Sequence, residues 1–256
     1  MRVQILGCSG GVGGSSLRTT SLLVDDDILI DAGTGSADLS LEALTRIDHV
    51  FITHSHLDHI ACLPFILDSV GDKRDTPLIV HATEETLAIL QTHIFNWLIW
   101  PDFSKIPTAE NPFLRFNTIS VGVPVSVGNN RHITALPAYH TVPAVGYLLD
   151  SGNGSLAFSG DTTVCTALWE AINLVDNIKF VVIEAAFPDE ERELAILSKH
   201  LCPSLLEEEL QKLTCSPEIF VTHAKPGQFE KIEATIAQFT GPHHPKMLHN
   251  NQLFMF

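Results

Sequence analysis

The seven residues 53–59, with the sequence THSHLDH, constrain the fold of this chain more than any other stretch. They follow directly on the apolar run 49–52 and precede a second apolar run with helical spacing. His54 and His56 are two positions apart, so they lie on one face of an extended segment but on different faces of a helix. The aspartate and histidine that close the motif point elsewhere from the same turn. The pattern therefore predicts a buried strand that ends in a metal-binding turn, with side chains directed towards two ions.

Outside the motif, short β-like runs alternate with helical ones. The first half predicts strands at 2–6, 20–24, 28–30 and 77–80, and helices at 39–47, 59–69 and 84–91. The second half predicts strands at 133–136, 145–149, 155–158, 180–183 and 219–221, with helices between them. Four of the later strands are followed by a ligand-type residue, namely His140, Asp161, Glu184 and His223. Because active sites of layered α/β folds collect at strand ends, we expect these residues to share a site with the motif.

The composition favours one cytoplasmic domain over residues 1–256. The chain is 45% hydrophobic, which suffices for a layered core, and it has no stretch of about 18 apolar residues that would suit a membrane span. No secretory signal is recognised at the N-terminus, and the five cysteines form no C-x-x-C pair, as expected of reduced thiols. The formal net charge of −15 argues against binding a long nucleic acid and leaves a small substrate as the expected partner.

Two further stretches allow more than one interpretation. The aromatic segment, residues 92–116, is an insertion that packs on the domain or forms a dimer contact, or else a lid whose rings stack on a base. A homodimer would bury either residues 97–100 or the apolar tail 253–256. The glycine run 7–14 lacks the third glycine of a dinucleotide-binding loop, because Ser16 stands at that position. A tight turn after the first strand accounts for it better.

The whole set of ligand candidates resembles that of the metallo-β-lactamase superfamily, across nearly the whole chain, and more narrowly its phosphodiesterase branch. The resemblance implies an α/β fold of the four-layer αββα type, with a dinuclear site at one edge of two sheets. It assigns His54, His56 and His140 to the first metal, and Asp58, His59 and His223 to the second, with Asp161 as the bridge. Such a shell favours two Zn²⁺ ions, and manganese, iron or cobalt are alternatives.

Several motifs narrow the resemblance within the superfamily. Residues 6–11 are similar to the opening turn of ribonuclease Z, and residues 140–147 to the segment that carries its third motif. Residues 183–186 resemble its H-E-A-T motif, with Ile183 in place of the histidine. His200 then falls where that enzyme has a histidine thought to donate a proton. Residues 54–60 are similar to the motif of class II cyclic nucleotide phosphodiesterases, although Ala61 stands where that motif has glycine or serine.

These features predict a metal-dependent phosphodiesterase that acts on a 3′,5′-cyclic nucleotide or a similar small phosphodiester. Asp58 is expected to bind metal and hold the attacking hydroxide, while His200, kept cationic by Glu184, protonates the leaving oxygen. Asp31 is expected to brace the metal loop by hydrogen bonding. The alternatives are a ribonuclease Z-like tRNA 3′-processing endonuclease, a lactonase or thioesterase of the same fold, and a non-catalytic metal-binding protein. The remaining histidines are interpreted as structural.

Overall fold

The strands form two seven-stranded sheets in a computed structural model, which describes residues 1–14 and 16–256. The first sheet contains β1 (Arg2–Gly7), β2 (Ser21–Val24), β3 (Ile28–Ile30), β4 (His49–Phe51), β5 (Leu78–Ala82), β6 (Leu114–Thr118) and β14 (Leu253–Met255). The second contains β7 (Pro124–Ser126), β8 (His132–Pro137), β9 (Val145–Asp150), β10 (Ser155–Phe158), β11 (Ile178–Glu184), β12 (Glu218–Thr222) and β13 (Lys246–Met247). Almost every strand of the first sheet thus precedes the second sheet in the chain.

The two sheets share the same arrangement of strand directions. Their spatial orders are β14-β1-β2-β3-β4-β5-β6 and β13-β12-β11-β10-β9-β8-β7. Strands β3 to β6 run parallel to one another, as do β10 to β13, and the other pairs are antiparallel. The loops after β4, β10, β11 and β12 therefore leave the C-terminal ends of parallel strands, where layered α/β folds place their active sites.

Helices cover the outer face of each sheet. They are α1 (Leu41–Thr45), α2 (Leu57–Ile60), α3 (Leu63–Val70), α4 (Glu84–His93), α5 (Thr166–Asn173), α6 (Arg192–Leu197), α7 (Pro203–Leu210) and α8 (Phe229–Ile236). Helices α1, α3 and α4 share an apolar cluster with the first sheet, and α5 to α8 share one with the second. A third cluster fills the space between the sheets. The four-layer αββα arrangement predicted from the sequence is confirmed.

Both faces of each sheet are apolar, because one face packs on helices and the other on the opposite sheet. On β3, Ile28 and Ile30 point between the sheets, whereas Leu29 points to the helices. On β11, Val182 points inward and its two neighbours pack against the helices. Successive side chains alternate in direction, so a strand covered on both faces needs a continuous apolar run. The run Ile-Leu-Ile of β3 meets that requirement.

Hydrogen bonds join the sheets at the edge that carries the motif. The buried Tyr147 hydroxyl on β9 donates to the carbonyl of Ile52, directly after β4, over 2.7 Å. The Val145 amide donates to the carbonyl of Thr53 over 3.0 Å. At another point of this edge, the His223 amide donates to the carbonyl of Cys8 over 2.8 Å. The loops that carry the ligand candidates are thereby held in register across the two sheets.

A buried arginine joins the sheets elsewhere. Arg131 directly precedes β8 in the turn of the β7–β8 hairpin. Two of its guanidinium nitrogens contact Asp27 at 2.7 Å, and one contacts Asp25 at 2.9 Å. Both aspartates lie in the turn between β2 and β3 of the other sheet. Two parallel hydrogen bonds to one carboxylate hold the planar guanidinium in a fixed orientation. Arg131 therefore sets the spacing of the two hairpins.

The helix predicted over 59–69 is two helices. α2 ends at Ile60, and α3 begins at Leu63 with Pro64 in its first turn. Proline has no amide hydrogen and clashes with the preceding turn of a continuous helix, but it fits the start of a new one. The helix predicted over 39–47 is also shorter, because Ser40 caps its first turn by accepting a hydrogen bond from the Ala43 amide.

The short edge strands were not predicted. β6, β7 and β13 carry mixed polar and apolar residues, and the tail residues 253–256 were predicted only as a possible dimer contact. In the structure β14 pairs antiparallel with β1, and its Phe254 is buried near Phe180 and Phe220. The tail is thus largely a sheet edge, although Leu253 and Met255 remain exposed.

Between α4 and β6, the irregular part of the aromatic segment (residues 94–113) packs mainly on the domain. Phe95 and Phe103 are buried in the helix-side cluster of the first sheet, and Trp100 lies against it. At the tip, Trp97 and Leu98 are 57% and 89% exposed. Packing on the domain is the alternative that these contacts support, and a dimer contact through the tip stays a prediction. None of the described helices has the length and apolarity that crossing a membrane requires.

One of the structural histidines titrates far from its usual range. His81 on β5 stacks on Phe51, with ring centroids 4.1 Å apart, and its Nδ1 accepts from the Asn117 amide over 2.9 Å. Because a neutral imidazole has one accepting and one donating nitrogen, Nε2 of His81 donates to Nδ1 of His49 over 2.9 Å. Burial, with a smaller contribution from His49, lowers the pKa of His81 to about 3.

We expect the stability of the metal-free protein to fall with acid partly through His81. Because its folded pKa lies below the unfolded value of about 6.5, its contribution is complete above that pH and is lost between pH 6.5 and about 3. His81→Gln should reduce the slope of unfolding free energy against pH by up to about 1.4 kcal/mol per unit below pH 6.5. Urea unfolding between pH 7 and 5 measures this. The exposed His93→Gln is the control, and an unchanged slope in His81→Gln would contradict the expectation.

Candidate metal centre

The motif predicted from the sequence forms the turn between β4 and α2. His54 and His59 are fully buried, whereas His56 and Asp58 are partly exposed. His56 is the last extended residue before α2, and Asp58 and His59 lie in the first turn of that helix. The change from extended to helical backbone lets the first two histidines join one group of ligand candidates and Asp58 and His59 join another.

Seven predicted side chains meet at this edge in two clusters. The first cluster consists of His54, His56, His140 and Asp161, and the second of Asp58, His59, Asp161 and His223. Within each cluster, one nitrogen or oxygen atom from every residue lies within 4.8 Å of the others. Asp161 belongs to both clusters. The structure therefore brings together the two ligand sets that the resemblance implied, with the shared carboxylate between them.

The distances within the clusters suit a divalent ion. Four ligands at 2.0–2.1 Å in a tetrahedral shell lie about 3.3 Å from one another. In the first cluster, Nδ1 of His56 is 3.2 Å from Nε2 of His140. In the second, Nε2 of His223 is 3.2 Å from Oδ2 of Asp161, and Nε2 of His59 is 3.3 Å from Oδ1. Nε2 of His59 and Oδ2 of Asp58 are farther apart, at 4.0 Å.

Among the residues that the structure describes, three buried histidine nitrogens have no hydrogen-bond partner. Nε2 of His54 and Nε2 of His59 point into the clusters, and the third is Nδ1 of His223. A buried polar atom without a partner costs about 1–3 kcal/mol, so nearly all such atoms in proteins are satisfied. A divalent cation satisfies a ring nitrogen by taking its lone pair. The donor set and the two Nε2 atoms therefore fit a metal.

Asp31 fixes the motif through hydrogen bonds to Thr53 and His59. Oδ2 of the buried Asp31 accepts from Nδ1 of His59 over 2.6 Å and from the Thr53 hydroxyl over 2.8 Å. Its Oδ1 accepts from the Thr53 amide over 2.8 Å. This contact directs Nε2 of His59 into the second cluster, as the bracing role predicted for Asp31 requires. Asp31 and His223 both have left-handed backbones, with φ of 58° and 68°.

The electrostatics leave most of the imidazoles neutral and the shared carboxylate charged. Burial holds the pKa of His54 and of His223 well below the ordinary value, and it lowers the pKa of His140 to about 4. Burial opposes the charge on Asp161, yet the facing His223 and His59 bring its pKa well below the usual range. Burial likewise opposes a charge on His59, but Asp161 and Asp31 raise its pKa well above the ordinary value. Metal binding at Nε2 of His59 would displace that proton.

Glu184 and His200 meet beside both clusters. Nδ1 of His200 donates to Oε1 of the buried Glu184 over 2.7 Å, and the Leu201 amide donates to Oε2. The ring of His200 lies 4.8 Å from that of His140 and 5.3 Å from that of His223, centroid to centroid. Burial works against a charge on His200, but Glu184 outweighs it and raises the pKa of His200.

Comparison with known proteins agrees with this geometry. Residues 26–225 match the model of the "Beta-lactamase superfamily domain" family. The chain belongs to the beta-lactamase superfamily. That family and the relatives described next indicate a metal-dependent hydrolase.

Two superfamily relatives and one solved structure illustrate the similarity. A probable 3′,5′-cyclic-nucleotide phosphodiesterase of Yersinia pestis is 28% identical over 254 residues, covering 82% of this chain and 71% of its own. A ribonuclease Z of Haloarcula marismortui is 30% identical over 156 residues, covering 59% of this chain and 47% of its own, so this match spans about half of the relative. The crystal structure of unliganded yeast PDE1 has a TM-score of 0.78 at 18% identity, with 100% of this chain and 99% of that chain covered.

Two lysines next to the clusters were not predicted from the sequence. The Lys225 ammonium lies 3.4 Å from Nε2 of His223, and that of Lys199 donates to the His140 carbonyl over 3.0 Å. The Lys199 carbonyl also accepts from Nδ1 of His140 over 2.9 Å. The one signal available was their position in sequence, since Lys225 follows His223 by two residues and Lys199 precedes His200.

We expect Asp161→Ala to weaken metal binding more than any other single change, because Asp161 contributes to both clusters. Asp31→Asn, which keeps its shape but not its charge, should lower metal affinity about 10- to 100-fold, as is typical for a partner of a ligand. Metal content after dialysis against a metal buffer, measured by mass spectrometry, tests both.

The exposed Asp72→Asn serves as the control for loss of one carboxylate, because Asp72 pairs with Lys73 at the surface, away from both clusters. Unchanged metal content in Asp161→Ala would contradict the assignment of the shared carboxylate.

Proposed function

We propose that the protein is a dinuclear metal-dependent phosphodiesterase that hydrolyses a 3′,5′-cyclic nucleotide to the 5′-nucleotide. The observation that carries this proposal is the Glu184–His200 pair, which lies against a ring from each cluster. Hydrolysis of an alkyl phosphodiester expels a poor leaving group that needs a proton, and a cationic histidine beside the reacting phosphate supplies one. A hydrolase of lactones or thioesters has less need of such a donor.

In this proposal seven side chains hold two divalent ions, with Zn²⁺ favoured by the imidazole-rich set. The ligands are His54, His56 and His140 for one ion, Asp58, His59 and His223 for the other, and Asp161 for both. When bound, such ions supply a nucleophile at neutral pH and polarise the phosphoryl oxygen. The protein's own residues orient the substrate and move the protons.

Asp58 and His200 take opposite parts in the reaction. Asp58 is partly exposed, and its Oδ2 lies 3.7 Å from Nε2 of His223, so its carboxylate reaches both the cluster and solvent. It orients the attacking water through its remaining acceptor capacity. His200 donates the proton that it carries to the departing 3′-oxygen of the ribose, while Glu184 stabilises the cation and fixes the ring through Nδ1.

The similarity to the Yersinia pestis relative supports a cyclic nucleotide as the substrate class, since that protein is named a probable 3′,5′-cyclic-nucleotide phosphodiesterase. The formal net charge of −15 weighs against tRNA, because a long polyanion approaches an acidic protein unfavourably. Ribonuclease Z-like activity nevertheless remains the second candidate, because the ribonuclease Z of Haloarcula marismortui is similar over 59% of this chain.

A substrate panel tests the proposal. The metal-loaded protein should hydrolyse cyclic AMP and bis-p-nitrophenyl phosphate and leave precursor tRNA and a homoserine lactone intact. Asp58→Ala should abolish the activity, which excludes a contaminating phosphodiesterase. Hydrolysis of tRNA without either small phosphodiester would replace the proposal by the ribonuclease Z-like alternative. Metal binding without any hydrolysis would indicate a non-catalytic metal-binding protein.

The role of His200 has its own test, based on leaving groups. His200→Ala should slow hydrolysis of cyclic AMP about 10²- to 10⁴-fold, the usual contribution of a general acid. The loss on bis-p-nitrophenyl phosphate should be much smaller, because p-nitrophenolate departs without protonation. Steady-state rates on both substrates, with Glu184→Gln as a second variant, measure the difference. Equal losses on the two substrates would rule out proton donation by His200.

A further inference from the structure

Lys225 places a positive charge at the edge of the second cluster. Its Nζ lies 3.4 Å from Nε2 of His223, the ring atom that faces Asp161 at 3.2 Å and Asp58 at 3.7 Å. Its only other polar contact among the described residues is the Gly10 carbonyl, to which it donates over 3.0 Å. An ammonium group has three donors, so this contact leaves donors directed towards the cluster.

No carboxylate within 4.0 Å neutralises Lys225 in the part of the chain that the structure describes. Lys199, the other lysine of this edge, differs because its ammonium lies 4.1 Å above the Tyr139 ring and contacts the His140 carbonyl. Lys225 is thus the cation that faces a ring nitrogen of the candidate ligands.

The glycine run fixes the lysine in place. A Cβ atom on Gly10 would lie 2.4 Å from the His223 carbonyl oxygen and 3.0 Å from Cδ of Lys225. One on Gly11 would lie 2.9 Å from the ring of Pro226. The turn after β1 can therefore approach the segment 223–226 only because these positions are glycine. That approach confines the lysine side chain, which lowers the entropy cost of using it to bind a ligand.

A divalent ion held by Nε2 of His223 would occupy the lone pair that faces the ammonium. Lys225 would then stand beside a cation, with the Gly10 carbonyl as its one acceptor in the described part of the chain, an arrangement that Coulomb repulsion disfavours. An anion that contacts both the ion and the ammonium removes this repulsion. Phosphate is suited to that position, because lysine binds it as a compact point charge.

We propose that Lys225 binds a non-bridging oxygen of the substrate phosphate and so makes the second cluster selective for anionic phosphoryl groups. This inference rests on the phosphodiesterase function proposed above. It gives the glycine run a role in holding a substrate-binding residue, beyond that of a tight turn. Lys225 positions the phosphate and takes no part in proton transfer.

Binding of inorganic phosphate tests the inference without requiring turnover. Calorimetric titration of the metal-loaded protein should show a dissociation constant that rises about 10- to 100-fold in Lys225→Met, the range for a hydrogen bond to a charged group. Lys225→Arg, which keeps the charge, should recover most of the affinity. Lys246→Met is the matched control, since Lys246 lies at the surface on β13 and pairs with Glu218. Metal content is measured for every variant.

Kinetics with cyclic AMP separate the two proposals. If both hold, Lys225→Met raises KM by a similar factor and changes kcat by less than about threefold. Lys225-dependent phosphate binding in a protein that hydrolyses no phosphodiester would refute the proposed function and keep only the assignment of Lys225 as a phosphate-binding residue. Hydrolysis with unchanged KM and unchanged phosphate affinity in Lys225→Met would refute the inference alone. Should Lys225→Met fail to fold by thermal melting, Lys225→Gln replaces it under the same criteria.

Discussion

The buried carboxylate of Asp161 is the constraint on which the rest of the site depends. A carboxylate excluded from water is expensive unless cations or donors face both oxygens. In this protein His59 faces Oδ1, and His223 faces Oδ2 at 3.2 Å, with His54 at 3.7 Å. These side chains come from both sheets. The loop after β10 can therefore keep its aspartate only if the loops after β4 and β12 stand where they do.

The layered architecture makes that convergence possible at one edge. Each sheet contributes the C-terminal ends of its parallel strands, and the inter-sheet hydrogen bonds of Tyr147 and Val145 align the loops that follow. Both carboxylate oxygens of Asp31 accept hydrogen bonds, whereas Nε2 of His54 and Nε2 of His59 have no hydrogen-bond partner among the described residues. Hydrogen bonds therefore hold the motif in place, while ring nitrogens of His54 and His59 keep lone pairs that a cation can bind.

The sequence was informative where chemistry repeats a known spacing and less so where packing decides. The motif of residues 53–59 and the positions of His140, Asp161 and His223 could be predicted, because ligand residues follow apolar strands. The break between α2 and α3 was missed although Pro64 signals it, since the apolar period runs through both helices. The edge strands show little alternation of polar and apolar residues, and they form because they pair with a neighbouring strand. Lys225 could not be assigned, because a lysine at a strand end is usually a solvated residue.

The left-handed backbones of Asp31 and His223 have a consequence for the evolution of this chain. Each such residue costs roughly 1 kcal/mol relative to a glycine, which adopts the conformation freely. Together with the buried ring nitrogens that lack partners, they make this edge less stable than an ordinary strand terminus would be. Selection for heat resistance alone, without metal, would therefore favour sequences that dismantle this edge. Costly backbone geometry of this kind is typical of sites where the strain serves binding or catalysis.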